Sequence, residues 1–257
     1  IKHHTITVKQ YKAVVFDLFN TVALWRSDRM PIFEWRGKTS HSTMGVLKET
    51  VEQQVTEASF EAFVDSLATA NDELAIRRER DMREIPSIER FMLALTKLGY
   101  LATPETSRIA RMLSLLHMEQ LAKAVEVPVA HIDFLARLRT RYPIGLLSNF
   151  DHGPTVRRIL KRDRVSSYFD PIVISDEHGW RKPHANIFLD TLAMLSANPE
   201  TVLYVGDSVV DDVLGARGAG LDVAWINARA QQLPDEIPPP DYEVTAIPAL
   251  STLLLPE

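Results

Sequence analysis

The sequence predicts an α/β protein: a doubly wound parallel sheet whose first strand is followed by an inserted all-helical subdomain. Three observations carry that reading. Short apolar runs rich in Val, Ile and Leu, at residues 13–16, 144–147 and 201–205, read as strands buried on both faces, and the later ones alternate with helical patterns. Residues 25–126, between the first two runs, show helical periodicity and no strand pattern. Finally, three strands end in polar residues that fall at one edge of the sheet: Asp17 with Thr21, Ser148 with Asn149, and Asp207 with Asp211 and Asp212. Ligands of open α/β sheets bind beyond the carboxyl ends of the strands, so that edge is where a site is expected.

In chain order, the strand at 13–16 delivers Asp17 to the mouth of the crevice. Residues 25–45 mix Pro31, Gly37 and Gly45 with Trp25, Phe33 and Trp35, and read as an extended loop or flap. Trp25, Phe33, Trp35 and Arg36 could line a pocket there or only join insert to core. Leu47, Val51 and Val55, then Phe60, Phe63, Val64, Leu67 and Leu74, mark two helices separated near Thr56. A third helix runs over 87–98 and stops at Gly99; a fourth starts with Thr103 as cap and Pro104 at the first helical position. The mixed-sign run 77–84 reads as a solvated helix end. After Val127 and Pro128 come helix 132–141, strand 144–147, helix 154–161, strand 171–175, helix 185–195, strand 201–205, helix 210–218 and strand 221–226. Pro234, Pro238, Pro239 and Pro240 make 231–240 a stiff linker before a last strand at 242–245 and a helix at 248–255. The expected division is a core of residues 1–24 and 127–257 with a flap and cap over 25–126. His3 and His4 are assigned no role.

Composition narrows the function. The apolar fraction of 46%, charged fraction of 25% and net charge of −5 describe an ordinary globular protein without the basic surface that nucleic acid requires. No apolar run approaches the ~20 residues of a membrane span, and there is no apolar signal core. With no cysteine there are no disulfides or thiolate metal sites, which fits a cytoplasmic protein. A small-molecule partner is expected, without nucleic acid or membrane.

The motifs Phe16-Asp17-Leu18-Phe19-Asn20-Thr21, Leu147-Ser148-Asn149, Lys182-Pro183, and Gly206-Asp207-Ser208 through Asp212-Val213-Leu214-Gly215-Ala216 stand in an order and spacing that resembles the haloacid dehalogenase-like hydrolase superfamily, in the version with a helical cap after the first strand. The resemblance implies a Rossmann-like core and a hydrolase. Asp17 would be a covalent nucleophile, since a carboxylate can split a difficult displacement into two easier ones. Thr21, Ser148 and the backbone near Asn149 would hold the oxygens of the transferring group, and Lys182 would offset charge on nucleophile and substrate. Carboxylates at Asp17, Asp207, Asp211 and Asp212 would repel one another, and a hard cation such as Mg²⁺ resolves the conflict. Asp17, Asp207 and the carbonyl of Phe19 are the direct ligands that the resemblance implies. The third acid is Asp212 if the downstream Val-Leu-Gly-Ala is matched, or Asp211 on the shorter spacing.

One position departs from the pattern. Phosphatases of the superfamily carry a second Asp two residues after the nucleophile as general acid, and here that residue is Phe19. The leading expectation is a Mg²⁺-dependent phosphohydrolase of a small phosphorylated metabolite, acting through an aspartyl-phosphate. It would either favour good leaving groups or draw its acid from elsewhere, with His152 a candidate. The alternatives are a metal-independent 2-haloacid dehalogenase, a phosphonatase for which neither Lys38 nor Lys48 stands out, and a non-catalytic binding member of the fold.

Overall fold

A computed structural model describes residues 9–256; His3 and His4 lie outside the described residues. Strand β1 (Ala13–Phe16) is followed by the short β2 (Leu24–Trp25), then β3 (Ile32–Trp35) and β4 (Lys38–His41). Four helices come next: α1 (Met44–Gln54), α2 (Phe60–Asp81), α3 (Ser87–Lys97) and α4 (Pro104–Lys123). The chain returns through β5 (Val125–Glu126) to α5 (Val129–Leu138), β6 (Ile144–Ser148), α6 (Gly153–Arg162), β7 (Ile172–Ile174), α7 (Ser175–His178) and α8 (Ala185–Met194). It closes with β8 (Val202–Gly206), a π-type turn over Val209–Leu214, α9 (Gly215–Gly218), β9 (Asp222–Ile226), β10 (Tyr242–Val244) and α10 (Ser251–Leu254). No described helix is long and apolar enough to cross a membrane.

Six strands form one parallel sheet in the order β10-β9-β8-β1-β6-β7. From β1 the chain builds outward through β6 and β7, then crosses back to lay β8 on the other side of β1. The carboxyl ends of β1, β6 and β8 therefore meet where the winding reverses, the place an open α/β sheet offers a crevice. Strand β1 is buried on both faces because alternate residues serve different cores. Val14 and Phe16 enter one with Leu146, Val156 and Leu203, while Ala13 and Val15 enter the other with Ile187, Phe188 and Val223. The helical insert carries a third core of its own, with Leu47, Phe63, Phe91 and Leu113 fully buried.

The four helices stand between β4 and β5, but residues 25–126 are not free of strands. The stretch expected as a loop holds the antiparallel hairpin β3–β4, in register Trp35 with Lys38. Arg36 and Gly37 at its tip both have positive φ, 48° and 74°, the conformation a two-residue hairpin turn demands. Phe33 and Trp35 stack on one another at 6.0 Å, and Phe33 meets Phe60 of α2 edge-on. The hairpin is thereby pinned to the helices, and Arg36 pairs with Asp65 on its exposed side. Trp25 belongs to the stem: β2 pairs with β5, so the insert leaves and returns through adjacent strands.

Insert and core also meet at a second seam. Arg83 bridges Trp180 antiparallel, Glu84 N donates to Gly179 O at 3.0 Å and Arg181 N to Met82 O at 3.0 Å. Arg83 lies 3.7 Å over the Trp180 ring, whose other partner is His184. The run 77–84 is therefore not wholly solvated. Arg77 and Arg80 point outward, but Arg78 is 17% exposed and Glu84 only 2%, both turned toward the core.

Candidate active site

Asp17 ends β1 and is 6% exposed; Lys182 precedes α8 and is 2% exposed. Lys182 Nζ donates to Asp17 Oδ1 at 2.7 Å, to Asp212 Oδ1 at 2.6 Å and to Tyr204 Oη at 2.9 Å. Tyr204 in turn donates to Asp212 Oδ1 at 2.8 Å. Burial alone would lower the lysine pKa, but Asp17 and Asp212 reverse that and hold it above its ordinary value. Asp17 is pushed up to about 8, chiefly by burial and then by Asp212 and Asp207, with Lys182 opposing. Asp207, at the end of β8, is pushed up to about 6 by burial and Asp212.

Asp17, Asp207 and Asp212 each offer an oxygen within 4.8 Å of the others, so the triad can hold a metal ion. The turn after β8 puts Asp212, and not Asp211, in this cluster. Both Asp212 N and Val213 N donate to Ser208 O at 3.0 Å, the second an i to i+5 bond of π type. That wider turn holds one residue more than an α turn, and it swings Asp212 toward Asp17. Ser208 N donates to Asp212 Oδ2 at 2.9 Å and Ser208 Oγ accepts from Asp211 N at 3.1 Å, fixing the arrangement. Asp211 instead accepts from Asn149 Nδ2 at 3.2 Å, and its pKa is raised by burial.

Asn149 spends its side chain on the backbone of Lys182, accepting from the amide at 2.8 Å and donating to the carbonyl at 2.9 Å. Only its backbone is left for a ligand. Two hydroxyls differ from the rest of the site: Thr21 Oγ1 and Ser148 Oγ are buried, 1% and 0% exposed as residues, and have no hydrogen-bond partner. Leaving such groups unpaired costs about 1–3 kcal/mol each, so they are groups waiting for an acceptor. Phe19 is packed between Trp25, stacked at 5.2 Å, and Phe150 at 4.7 Å. His152 stands just before α6, its Nδ1 2.8 Å from Thr155 Oγ1, with its pKa lowered by burial. It lines a cleft with Pro86, Ser87 and Arg111, among others, rather than with Asp17.

Tyr204 was hidden from sequence reasoning inside an apolar strand, although a tyrosine in such a run needs a partner for its hydroxyl. Gly206 has a use only the structure reveals. A Cβ there would lie 2.3 Å from Asp212 Cγ, so only glycine lets that carboxylate lie against β8. Gly206→Ala is expected to destabilise the fold by about 1–3 kcal/mol in urea titrations and to weaken the hold of the triad on a divalent cation by calorimetry, because Asp212 must move. Unchanged affinity for the cation would show that Asp212 does not serve a metal.

A strand-end aspartate opposed by a buried lysine and two further aspartates stands at the crevice of a doubly wound sheet carrying a helical insert. The chain belongs to the haloacid dehalogenase-like hydrolase family, whose model matches residues 11–220. It is 36% identical over 126 residues to the pyrimidine 5'-nucleotidase YjjG of Escherichia coli, covering 48% of this chain and 54% of that one. It is 29% identical over 131 residues to glyceraldehyde 3-phosphate phosphatase of Pyrococcus furiosus, covering 50% and 54%. The chain thus matches about half the length of these curated relatives. In fold it is similar to a 2-haloacid dehalogenase from Pseudomonas syringae, with a TM-score of 0.75 at 20% identity over 95% of this chain and 98% of the other.

Proposed function

We propose that the protein is a Mg²⁺-dependent phosphohydrolase that releases phosphate from a small phosphorylated metabolite through an aspartyl-phosphate on Asp17. The observation that carries this reading is the pair of buried, unpaired hydroxyls of Thr21, in the loop that follows Asp17, and Ser148, at the end of the neighbouring strand β6. They suit the oxygens of a phosphoryl group, with the Asn149 backbone as a further donor. The names of the curated relatives, a nucleotidase and a triose-phosphate phosphatase, support the same class.

Asp17, Asp207 and the Phe19 carbonyl would hold Mg²⁺, with Asp212 as the third acid. The fit rests on three clustered carboxylates, two of them raised in pKa, whose repulsion a divalent cation removes. Bound there, the ion would neutralise charge on the phosphoryl oxygens. An Asp17 oxygen attacks phosphorus as the ester P–O bond breaks, and the leaving oxygen takes the electron pair. Water then attacks phosphorus and restores the Asp17 carboxylate. Lys182 orients Asp17 and opposes the rise in its pKa before the attack, and is itself held by Tyr204, Asp212 and Asn149. Residues 25–126 act as a cap on a core of 1–24 and 127–257.

Phe19 shapes the substrate range. It offers no proton to a leaving alkoxide, a contribution worth about 10²–10⁴-fold, so aryl and acyl phosphates are the expected good substrates. Purified protein should hydrolyse them with Mg²⁺ and stop in excess chelator. Phe19→Asp should raise alkyl phosphate turnover by about 10²-fold relative to aryl; no change would mean that Phe19 does not limit the reaction. The same residue is the reason to test a second reading, since halide leaves without protonation. Chloride release from a 2-haloacid that survives the chelator would replace the phosphohydrolase with a dehalogenase, and no turnover of any kind above Asp17→Asn would indicate a non-catalytic protein.

A further inference from the structure

A cavity of about 430 Å³ lies where the insert faces the core, bordered by Arg78 and Arg90 from the insert and by Asn149, Phe150, Asp151 and Arg181 from the core. Arg78 Nη2 lies 3.1 Å from Asp151 Oδ2, and Arg90 Nη2 bonds the same oxygen. Glu84 is shared in its turn: its Oε1 lies 3.0 Å from Arg78 Nε and 3.4 Å from Arg181 Nη1. Three guanidiniums are thus served by two carboxylates. His117 does not alter the balance, because burial and then Arg90 lower its pKa to about 4, leaving it neutral. Among the direct ion pairs one positive charge is left over, with Asp211 acting on Arg181 from beyond pairing distance. Neither Arg78 Nε nor Arg90 Nε has an aligned hydrogen-bond acceptor.

A surplus cation withdrawn from water is costly unless an anion joins it. The fork of an arginine fits a carboxylate or a phosphate, which accept two parallel hydrogen bonds. The place is as telling as the charge. Asp151 is three residues beyond Ser148, a chain span of at most about 10 Å. Arg78 and Arg181 also border a neighbouring cavity of about 380 Å³ that reaches Lys182 and Asp211. An anion seated on the arginines therefore lies beside the cavity that reaches Lys182.

We infer that Arg78 and Arg90, converging on Asp151, receive a second anionic group, a carboxylate or a second phosphate, on the part of the substrate that is not transferred. This rests on the phosphohydrolase reading and narrows it to short organic phosphates, acyl phosphates included, whose leaving portion carries another negative charge. Leaving portions without a charge would leave the surplus arginine charge unpaired and bind less well.

The test is calorimetric binding, with Mg²⁺ present, of three non-hydrolysable probes of similar length: propylphosphonate, 3-phosphonopropionate and propane-1,3-diphosphonate. At least one doubly functional probe should bind about tenfold or more tightly than propylphosphonate, and the probe that gains identifies carboxylate or phosphate as the group received. Arg90→Gln should abolish the gain, and Arg90→Lys, which keeps the charge without the fork, should retain part of it. Equal binding of all three probes by the unmodified protein, a result that needs no variant to fold, would overturn the proposal and leave the phosphohydrolase standing. So would a gain that survives in Arg90→Gln. Failure of every probe, propylphosphonate included, would overturn both.

Discussion

Asp17→Asn is expected to lower kcat for an aryl phosphate by at least about 10⁴-fold, the scale on which enzymes lose rate when a covalent nucleophile is removed. The amide keeps the shape of the side chain but has no anionic oxygen to attack phosphorus, so the covalent route is closed. Stability should not fall with it at pH 8. The native carboxyl of Asp17 is raised to about 8 by burial and by Asp212 and Asp207, well above its ordinary value near 4. Between those values the folded chain binds the proton more tightly than the unfolded chain, so without metal this group makes stability fall as pH rises from about 4 to 8. A neutral Asn removes that dependence, and Lys182 still keeps Asp212 as a partner. Rapid-quench kinetics and thermal unfolding at pH 5.5 and 8 check both halves. Turnover within tenfold of the parent would remove Asp17 from the nucleophile's role.

What the sequence made legible follows from where each signal lives. Asp17, Ser148 and Asp207 were readable because each closes a short apolar run, and parallel strands bring such ends to one edge. Asp211 and Asp212 were not separable, because the π-type turn that selects Asp212 is a one-residue change in winding with no composition of its own. The hairpin β3–β4 escaped because Lys38 to His41 are exposed throughout, so no apolar alternation marks β4. Its one local sign was Gly37, a residue type suited to positive φ. Arg78 and Glu84 escaped for the opposite reason. They sit in a run of mixed charge that looks solvated, and only their partners in the core turn them inward, Asp151 for Arg78 and Ser175 with Arg181 for Glu84.

Lys182→Met is expected to be the most damaging single change to stability, about 3–5 kcal/mol at pH 8 without metal, because it removes the cation and leaves the buried carboxylates uncompensated. Methionine fills much the same volume, so lost packing contributes little. Nζ serves Asp17 and Asp212 at 2.7 and 2.6 Å in a site that is almost fully buried. Without it, the charge that opposes the raised pKa of Asp17 is gone, and the carboxyl titrates higher still. The folded variant then binds more protons than its unfolded chain throughout the range from about 4 to 8, so its stability rises as pH falls. Urea titrations should show a smaller loss at pH 5.5 than at pH 8, and Mg²⁺ should restore part of the deficit at pH 8 by standing in for the missing charge. An equal loss at both pH values would mean that Lys182 is held for its packing. A pH-dependent loss that Mg²⁺ relieves would mean that the lysine and the metal neutralise the same carboxylates, which is what an anionic substrate needs from this edge of the sheet.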